Sequence, residues 1–64
     1  MGWYYIETDY GCGIREARNI DHAQRNLLKE IGTHSAKRLC RKATQTDIEW
    51  VKGMGGAIPD KEAP

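Results

Sequence analysis

The sequence lacks any long apolar run, which excludes a membrane-spanning helix. Crossing a bilayer takes about 20 consecutive apolar residues, whereas the longest uninterrupted apolar stretch of this 64-residue chain runs from Trp3 to Ile6. The amino-terminal residues also lack the basic-then-apolar order of a secretory signal peptide. We therefore expect a protein of the reducing cytoplasm with no membrane partner.

An excess of one charge is absent as well. Ten Lys and Arg residues and nine Asp and Glu residues give a net charge of +1, so the chain as a whole has no electrostatic preference for nucleic acid or membranes. Its two cysteines and two histidines occur in the order Cys12, His22, His34, Cys40. No two of them have the short spacing by which one loop offers two ligands to zinc, and a disulfide is not expected in a reducing compartment. The sequence predicts no metal and no cofactor.

Features of a catalytic centre are scarce. Cys12 precedes a predicted strand rather than a helix N-terminus that would lower its pKa. The glycine-rich stretches 11–13 and 53–56 come before a strand and after a helix, where backbone N–H groups do not cradle a phosphate. So short a chain also has few core residues left to form a pocket. We therefore predict a binding protein rather than an enzyme.

The clearest element that is present is an amphipathic helix from Ile20 to Gly32. Asp21 is the predicted N-cap, and Gln24 three residues later completes a capping-box pattern. Gly32 is the predicted stop, because glycine readily adopts positive φ. The apolar residues recur every three or four positions and so share one face: Ala23, Leu27, Leu28 and Ile31.

Three strands are predicted around this helix. The aromatic segment Trp3 to Thr8 is the first, and large apolar groups on both of its faces indicate a central strand. The five residues 9–13 form a turn into a second strand from Gly13 to Arg18, which makes a hairpin. The third strand is Arg38 to Ala43. Good helix formers between residues 36 and 42 leave a helix open there, but a third strand is what an independent sheet needs.

A second helix follows, capped by Thr44 with Asp47 at the third helical position. Its apolar face is predicted to contain Ile48, Val51 and Met54 with Trp50 at the edge, and Trp50 and Met54 are predicted core residues. The pair Gly55–Gly56 ends the helix. We expect one domain over residues 1–56 and a flexible tail over residues 57–64.

The predicted fold class is therefore α+β, in the order β-β-α-β-α. The three-stranded sheet has the order 2-1-3 with antiparallel neighbours and is covered by two helices. We favour both helices on one face of the sheet, with an aromatic patch exposed on the other. The alternative is that the second helix covers the opposite face.

Two binding surfaces are predicted. The basic run Lys37, Arg38, Arg41 and Lys42 has no acidic residue between Glu30 and Asp47 and would contact phosphates of a nucleic acid. On a strand, Arg38 and Lys42 would share one face. The aromatic residues Trp3, Tyr4, Tyr5 and Tyr10 would stack on bases or dock a protein, and an edge strand would also dock a protein. The simpler interpretation of the basic run is a charged edge strand that resists edge-to-edge pairing.

The segment Ala43 to Pro59, ATQTDIEWVKGMGGAIP, resembles the carboxy-terminal signature of short uncharacterised proteins encoded by bacteria and their phages. Their signature has the form T-x-x-D-I-x-W-V-x-x-M-G-G-x-x-P. The resemblance implies an α+β domain of bacterial or mobile-element origin, and it implies no activity. A nucleic-acid-associated accessory protein is our first hypothesis, and a protein–protein interaction module is the alternative.

Overall fold

The computed structural model describes residues 2–32, 35–56 and 58–59. Within these ranges the chain forms three strands and two helices in the predicted order. The elements are β1 (Gly2–Thr8), β2 (Gly11–Ala17), α1 (Ile20–Ile31), β3 (Arg38–Lys42) and α2 (Gln45–Gly53). The α+β fold class is confirmed.

The first two strands form an antiparallel hairpin in which Thr8 lies opposite Gly11. The connection is therefore the two residues Asp9 and Tyr10, and the prediction of a five-residue turn was wrong. Gly11 takes a φ of 132°, a conformation available to glycine. Because of this conformation, β2 pairs with β1 from Gly11 onward. The Thr8 hydroxyl accepts from the Tyr10 N–H at 3.1 Å, which closes the turn. Cys12 consequently lies in β2 rather than in the turn.

The sheet has the order β2-β1-β3, as predicted, with β1 antiparallel to both neighbours. The hairpin turn also positions the segment before β3. Asp9 receives a hydrogen bond from the Ala36 N–H at 2.8 Å through its carboxylate, and its own N–H donates to the Ser35 hydroxyl at 2.9 Å. Ser35 is almost fully buried. These bonds hold the start of β3 against the hairpin.

The N-cap of α1 is Asn19, not the predicted Asp21. The Asn19 side chain accepts from the His22 N–H at 2.8 Å, so the helix begins two residues earlier and Asp21 lies in its first turn. Asparagine caps as well as aspartate does, because its side-chain oxygen reaches the same free N–H groups. The predicted stop is confirmed: Gly32 has a φ of 57° and donates to the Leu28 carbonyl.

The predicted cap of α2, Thr44, is confirmed, and Asp47 completes a capping box with it. The Thr44 hydroxyl accepts from the Asp47 N–H at 3.1 Å, and the Asp47 carboxylate accepts from the Thr44 N–H at 2.8 Å. The backbone N–H groups of both Thr44 and Asp47 are therefore hydrogen-bonded, which fixes the point at which α2 begins after the sheet.

The two helices pack on opposite faces of the sheet. Tyr4 clusters with Ala23 of α1, while Trp3 and Tyr5 cluster with Val51 of α2. The preference for both helices on one face was therefore wrong. Successive side chains of a strand point to opposite faces, so a strand with large aromatic groups on both faces needs cover on both.

The apolar contacts extend beyond the predicted domain boundary at residue 56. Ile58 packs against the cluster that Trp3 and Tyr5 form with Val51 of α2. Of the predicted tail, residues 57 and 60–64 lie outside the described residues. Within the described chain, neither helix has the length and apolar content needed to span a membrane.

Candidate functional site

The predicted basic run does not form one surface. In the β1–β3 register, Arg41 lies opposite Tyr5, on the face covered by α2. Arg38 and Lys42 lie opposite Thr8 and Tyr4, on the face covered by α1, and their common face agrees with the sequence prediction. Strand alternation therefore sends neighbouring cations in opposite directions.

Arg41 is engaged by other residues of the chain, although its side chain is 46% exposed. Its guanidinium binds the Asp47 carboxylate in two places, at 2.5 Å from Nη1 to Oδ2 and at 2.7 Å from Nη2 to Oδ1. It also lies over the Tyr5 ring, 4.6 Å from the ring centre, a favourable position for a cation. The Arg41 hydrogen bonds hold the pKa of Asp47 at about 2. Arg41 thus links β3 to the capping box of α2.

Lys37 is also engaged within the chain. Its Nζ lies 2.5 Å from Glu7 Oε2, and Glu7 accepts from the Tyr5 hydroxyl through Oε1 at 2.8 Å. The hydrogen bond from Lys37 lowers the pKa of Glu7, and burial raises the pKa of Tyr5. Glu7 is therefore ionised and Tyr5 protonated at neutral pH. The positive charge of Lys37, which was predicted to contact a phosphate, is therefore paired with Glu7.

Arg38 and Lys42 are different. Both are exposed, and neither has an ion pair or side-chain hydrogen bond with another described residue. They stand two positions either side of Cys40 on the same face of β3. Of the four cations of the predicted basic run, this pair remains available to a partner.

The outer side of β3 also carries free backbone groups. The Ala43 N–H donates to the Trp3 carbonyl at 3.0 Å. In an antiparallel ladder, alternate residues direct both backbone groups to the same neighbour. Leu39 and Arg41 therefore bond to β1, and the N–H and C=O groups of residues 38, 40 and 42 point away from the sheet. Within the described chain no other strand pairs with this side. We call these outward backbone groups the β3 edge.

A groove of about 210 Å³ lies beside the β3 edge, between α1 and β3. Its lining residues are Gln24, Leu27, Leu28, Arg38 and Cys40. We call it the α1–β3 groove. Burial raises the pKa of the Cys40 thiol, so this side chain is neutral and acts as a small apolar group. Leu28 is 47% exposed although Leu27 beside it is buried.

Sequence reasoning missed this groove. Adjacent helical residues point about 100° apart, so Leu27 and Leu28 cannot both face the sheet directly. Two adjacent leucines in a helix therefore indicate that one of them lies at the side of the contact between helix and sheet. Only the order of the strands shows that this side of the contact is next to the β3 edge.

The predicted aromatic surface is not exposed. Trp3, Tyr4 and Tyr5 are each at most 8% exposed, whereas Tyr10 at the hairpin turn is 70% exposed. The prediction of an exposed aromatic face was therefore wrong for three of its four residues, because a helix covers each face of the sheet.

Trp50 and Met54 were predicted to be core residues, and that prediction was wrong. Each is 59% exposed. The nine-residue helix α2 meets the sheet along a narrow stripe that contains Val51 and Ile48, so side chains off that stripe reach solvent. Trp50 and Met54 border a shallow groove of about 270 Å³ with Cys12.

The two cysteines are free thiols on opposite faces of the sheet. Among the described residues, no three His, Cys, Asp or Glu side chains come together in a way that could hold a metal ion. His34 lies outside those residues.

No protein-family model, curated protein or solved structure matches this chain. The resemblance to phage-encoded and bacterial proteins therefore stays a prediction. The case for function depends on the geometry of the β3 edge and the α1–β3 groove.

Proposed function

We propose that this protein is a peptide-binding module that adds an extended segment of a partner protein to the β3 edge. The observation that carries the proposal is the outward-facing backbone of residues 38, 40 and 42 beside an open groove. In β-addition, main-chain hydrogen bonds supply affinity, and pockets for alternate side chains supply specificity. The β3 edge offers the first and the α1–β3 groove offers the second.

The nucleic-acid hypothesis has less support. Lys37 and Arg41, two of its four predicted cations, are engaged by Glu7 and Asp47. Arg38 and Lys42 remain, while a protein that binds nucleic acid through phosphates generally neutralises several of them. Three of the four predicted aromatic residues lie beneath helices and cannot stack on bases. This hypothesis stays a prediction and is one outcome of the test below.

Amide hydrogen exchange, followed by NMR, tests the proposal directly. In the free protein the Cys40 N–H should exchange rapidly and the Arg41 N–H slowly, because the first points outward and the second bonds to β1. Peptides selected from a displayed library of random heptapeptides should slow exchange at Cys40 and leave Arg41 unchanged. A selection that yields no binder, or binders that protect amides elsewhere, would contradict β-addition.

The variant Cys40→Pro adds a second test, with Cys40→Ala as its control. Proline removes the outward N–H and is tolerated on the free side of an edge strand. Binding should be lost in the proline variant and retained in the alanine variant, both checked for folding by circular dichroism. Salt-dependent binding of a generic oligonucleotide that disappears in the double variant Arg38→Ala, Lys42→Ala would instead favour the nucleic-acid hypothesis.

A further inference from the structure

We infer that the segment bound at the β3 edge carries one apolar residue with a carboxylate two positions before it and another two positions after it. This inference rests on the proposed function and names the class of partner. It follows from which side chains of β3 share a face, and from which of those lack partners within the described chain.

The apolar position follows from Cys40. A residue paired with Cys40 on an added strand projects its side chain to the same face as Cys40, because opposed residues in a ladder share a face. That face holds the α1–β3 groove, where Leu27 is buried and Leu28 is 47% exposed. A leucine-sized side chain there would cover apolar surface that is now partly open to water, and this is favourable.

The acidic positions follow from Arg38 and Lys42. Residues two before and two after the apolar one lie opposite these cations and on the same face. Both cations are exposed and have no ion-pair partner among the described residues. Carboxylates opposite them make favourable cross-strand pairs, whereas lysines or arginines place like charges in direct opposition.

The same reasoning disfavours a second copy of this chain as the occupant. Antiparallel pairing of two β3 edges centred on Cys40 would set Arg38 of each copy opposite Lys42 of the other. Two like-charge oppositions would result, which is how natural edge strands avoid pairing with themselves. The intervening positions of the partner segment face the α2 side, where Leu39 and Arg41 lie, and they are not part of the inferred pattern.

The test uses two capped heptapeptides that differ only in charge. The first has glutamate at positions two and six, leucine at position four and threonine elsewhere, and the second has lysine in place of glutamate. At low salt the glutamate peptide should bind about tenfold or more tightly than the lysine peptide, as two cross-strand pairs allow. Equal binding of both peptides would overturn the inference, as would preference for lysine.

A charge-reversed protein sharpens the result. Arg38→Glu with Lys42→Glu should invert the preference, so that the lysine peptide binds more tightly. The matched control is Arg18→Glu with Lys52→Glu, which changes the net charge equally at exposed positions outside the groove, and it should keep the glutamate preference. If the control also lost its preference for the glutamate peptide, the preference would be an effect of net charge, and the assignment of Arg38 and Lys42 as the carboxylate contacts would be wrong.

N-methylated peptides separate the two proposals. Methylation of the leucine amide removes the N–H that would pair with β3, whereas methylation of a neighbouring threonine amide leaves that bond intact. If library-selected peptides bind with this alternation but show no charge preference, the inferred sequence class fails and β-addition stands. If no peptide protects the Cys40 amide and light scattering shows a dimer instead, both proposals fail.

Discussion

Arg38 and Arg41 lie three residues apart on one strand and both are exposed, yet Arg41 pairs with Asp47 on the α2 side while Arg38, on the α1 side, has no ion-pair partner among the described residues. The same contrast holds for the cations of the basic run on the two faces of the sheet. On the α2 side, the charged groups pair with one another around a core of Trp3 and Tyr5. On the α1 side, Arg15 of β2 pairs with Glu30 of α1, but Arg38 and Lys42 of β3 have no ion-pair partner among the described residues and lie beside the α1–β3 groove. Two cations of the basic run, Lys37 and Arg41, thus stabilise the fold through ion pairs. The other two, Arg38 and Lys42, remain available to a partner.

The largest expected difference lies between the two tryptophans. Trp3 is 8% exposed and Trp50 is 59% exposed. Trp3→Ala should cost about 3–5 kcal/mol of stability through lost burial and a cavity, enough to unfold most of a chain this small. Trp50→Ala should change the stability by about 0.5 kcal/mol or less. Urea unfolding followed by circular dichroism measures both, and similar losses would mean that the α2-side core has been misplaced.

The second prediction compares the two arginines of β3. Arg41→Ala leaves the buried Asp47 carboxylate without its bidentate partner and should lower the free energy of unfolding by about 2 kcal/mol. Arg38→Ala removes an exposed cation and should change it by about 0.5 kcal/mol or less. If the two variants were equally stable, the division of the basic run would not hold.

The third prediction concerns pH. The native pKa of Asp47 is about 2, below its ordinary value of 3.8, so the unfolded state binds more protons between these values. Its contribution is complete above about pH 5 and disappears as the pH falls through about 2, and it amounts to about 2 kcal/mol. Asp47→Asn keeps a cap acceptor but removes this titration.

The measurement is thermal or urea unfolding at several pH values. Wild type should lose more stability than Asp47→Asn between about pH 5 and about pH 2. Glu7, whose pKa is lowered chiefly by its hydrogen bond from Lys37, is present in both proteins, so most of its contribution cancels in the comparison. Identical pH dependence in the two proteins would show that the Arg41–Asp47 pair does not contribute in this way.

The smallest predicted effect concerns the start of α1, where two residues compete as the cap. The α2 start has a reciprocal capping box, whereas the α1 start relies on the Asn19 side chain. Asn19→Ala should cost about 1 kcal/mol, and Asp21→Ala should cost less, since it loses only a favourable charge near the helix N-terminus. Chemical denaturation ranks the two, and a larger loss for Asp21→Ala would restore Asp21 as the cap.

The sequence predicted the elements well where local chemistry decides them. Consecutive aromatic residues identified β1, Thr44 with Asp47 three residues later located the start of α2, and Gly32 marked the end of α1. The errors arose where two local solutions compete. Asn19 and Asp21 are both good caps, and a hairpin over residues 9–13 closes in two residues because Gly11 takes a positive φ. Sequence patterns do not choose between such alternatives.

The candidate site was less predictable than the fold. The basic residues were identified as a set, but whether each is paired depends on acidic residues brought close by tertiary contacts, Glu7 from β1 and Asp47 from α2. The exposure of Trp50 likewise depends on how far a short helix overlaps the sheet.

By itself, the sequence determined the strands, the helices and the order of the sheet, since periodicity, capping and connection lengths are local properties. Only the tertiary structure decided which face each helix covers, which cations are neutralised, and that no other described strand pairs with the β3 edge beside the groove. The physical reason is that pairing and burial depend on distances between residues far apart in the chain, which no local pattern encodes.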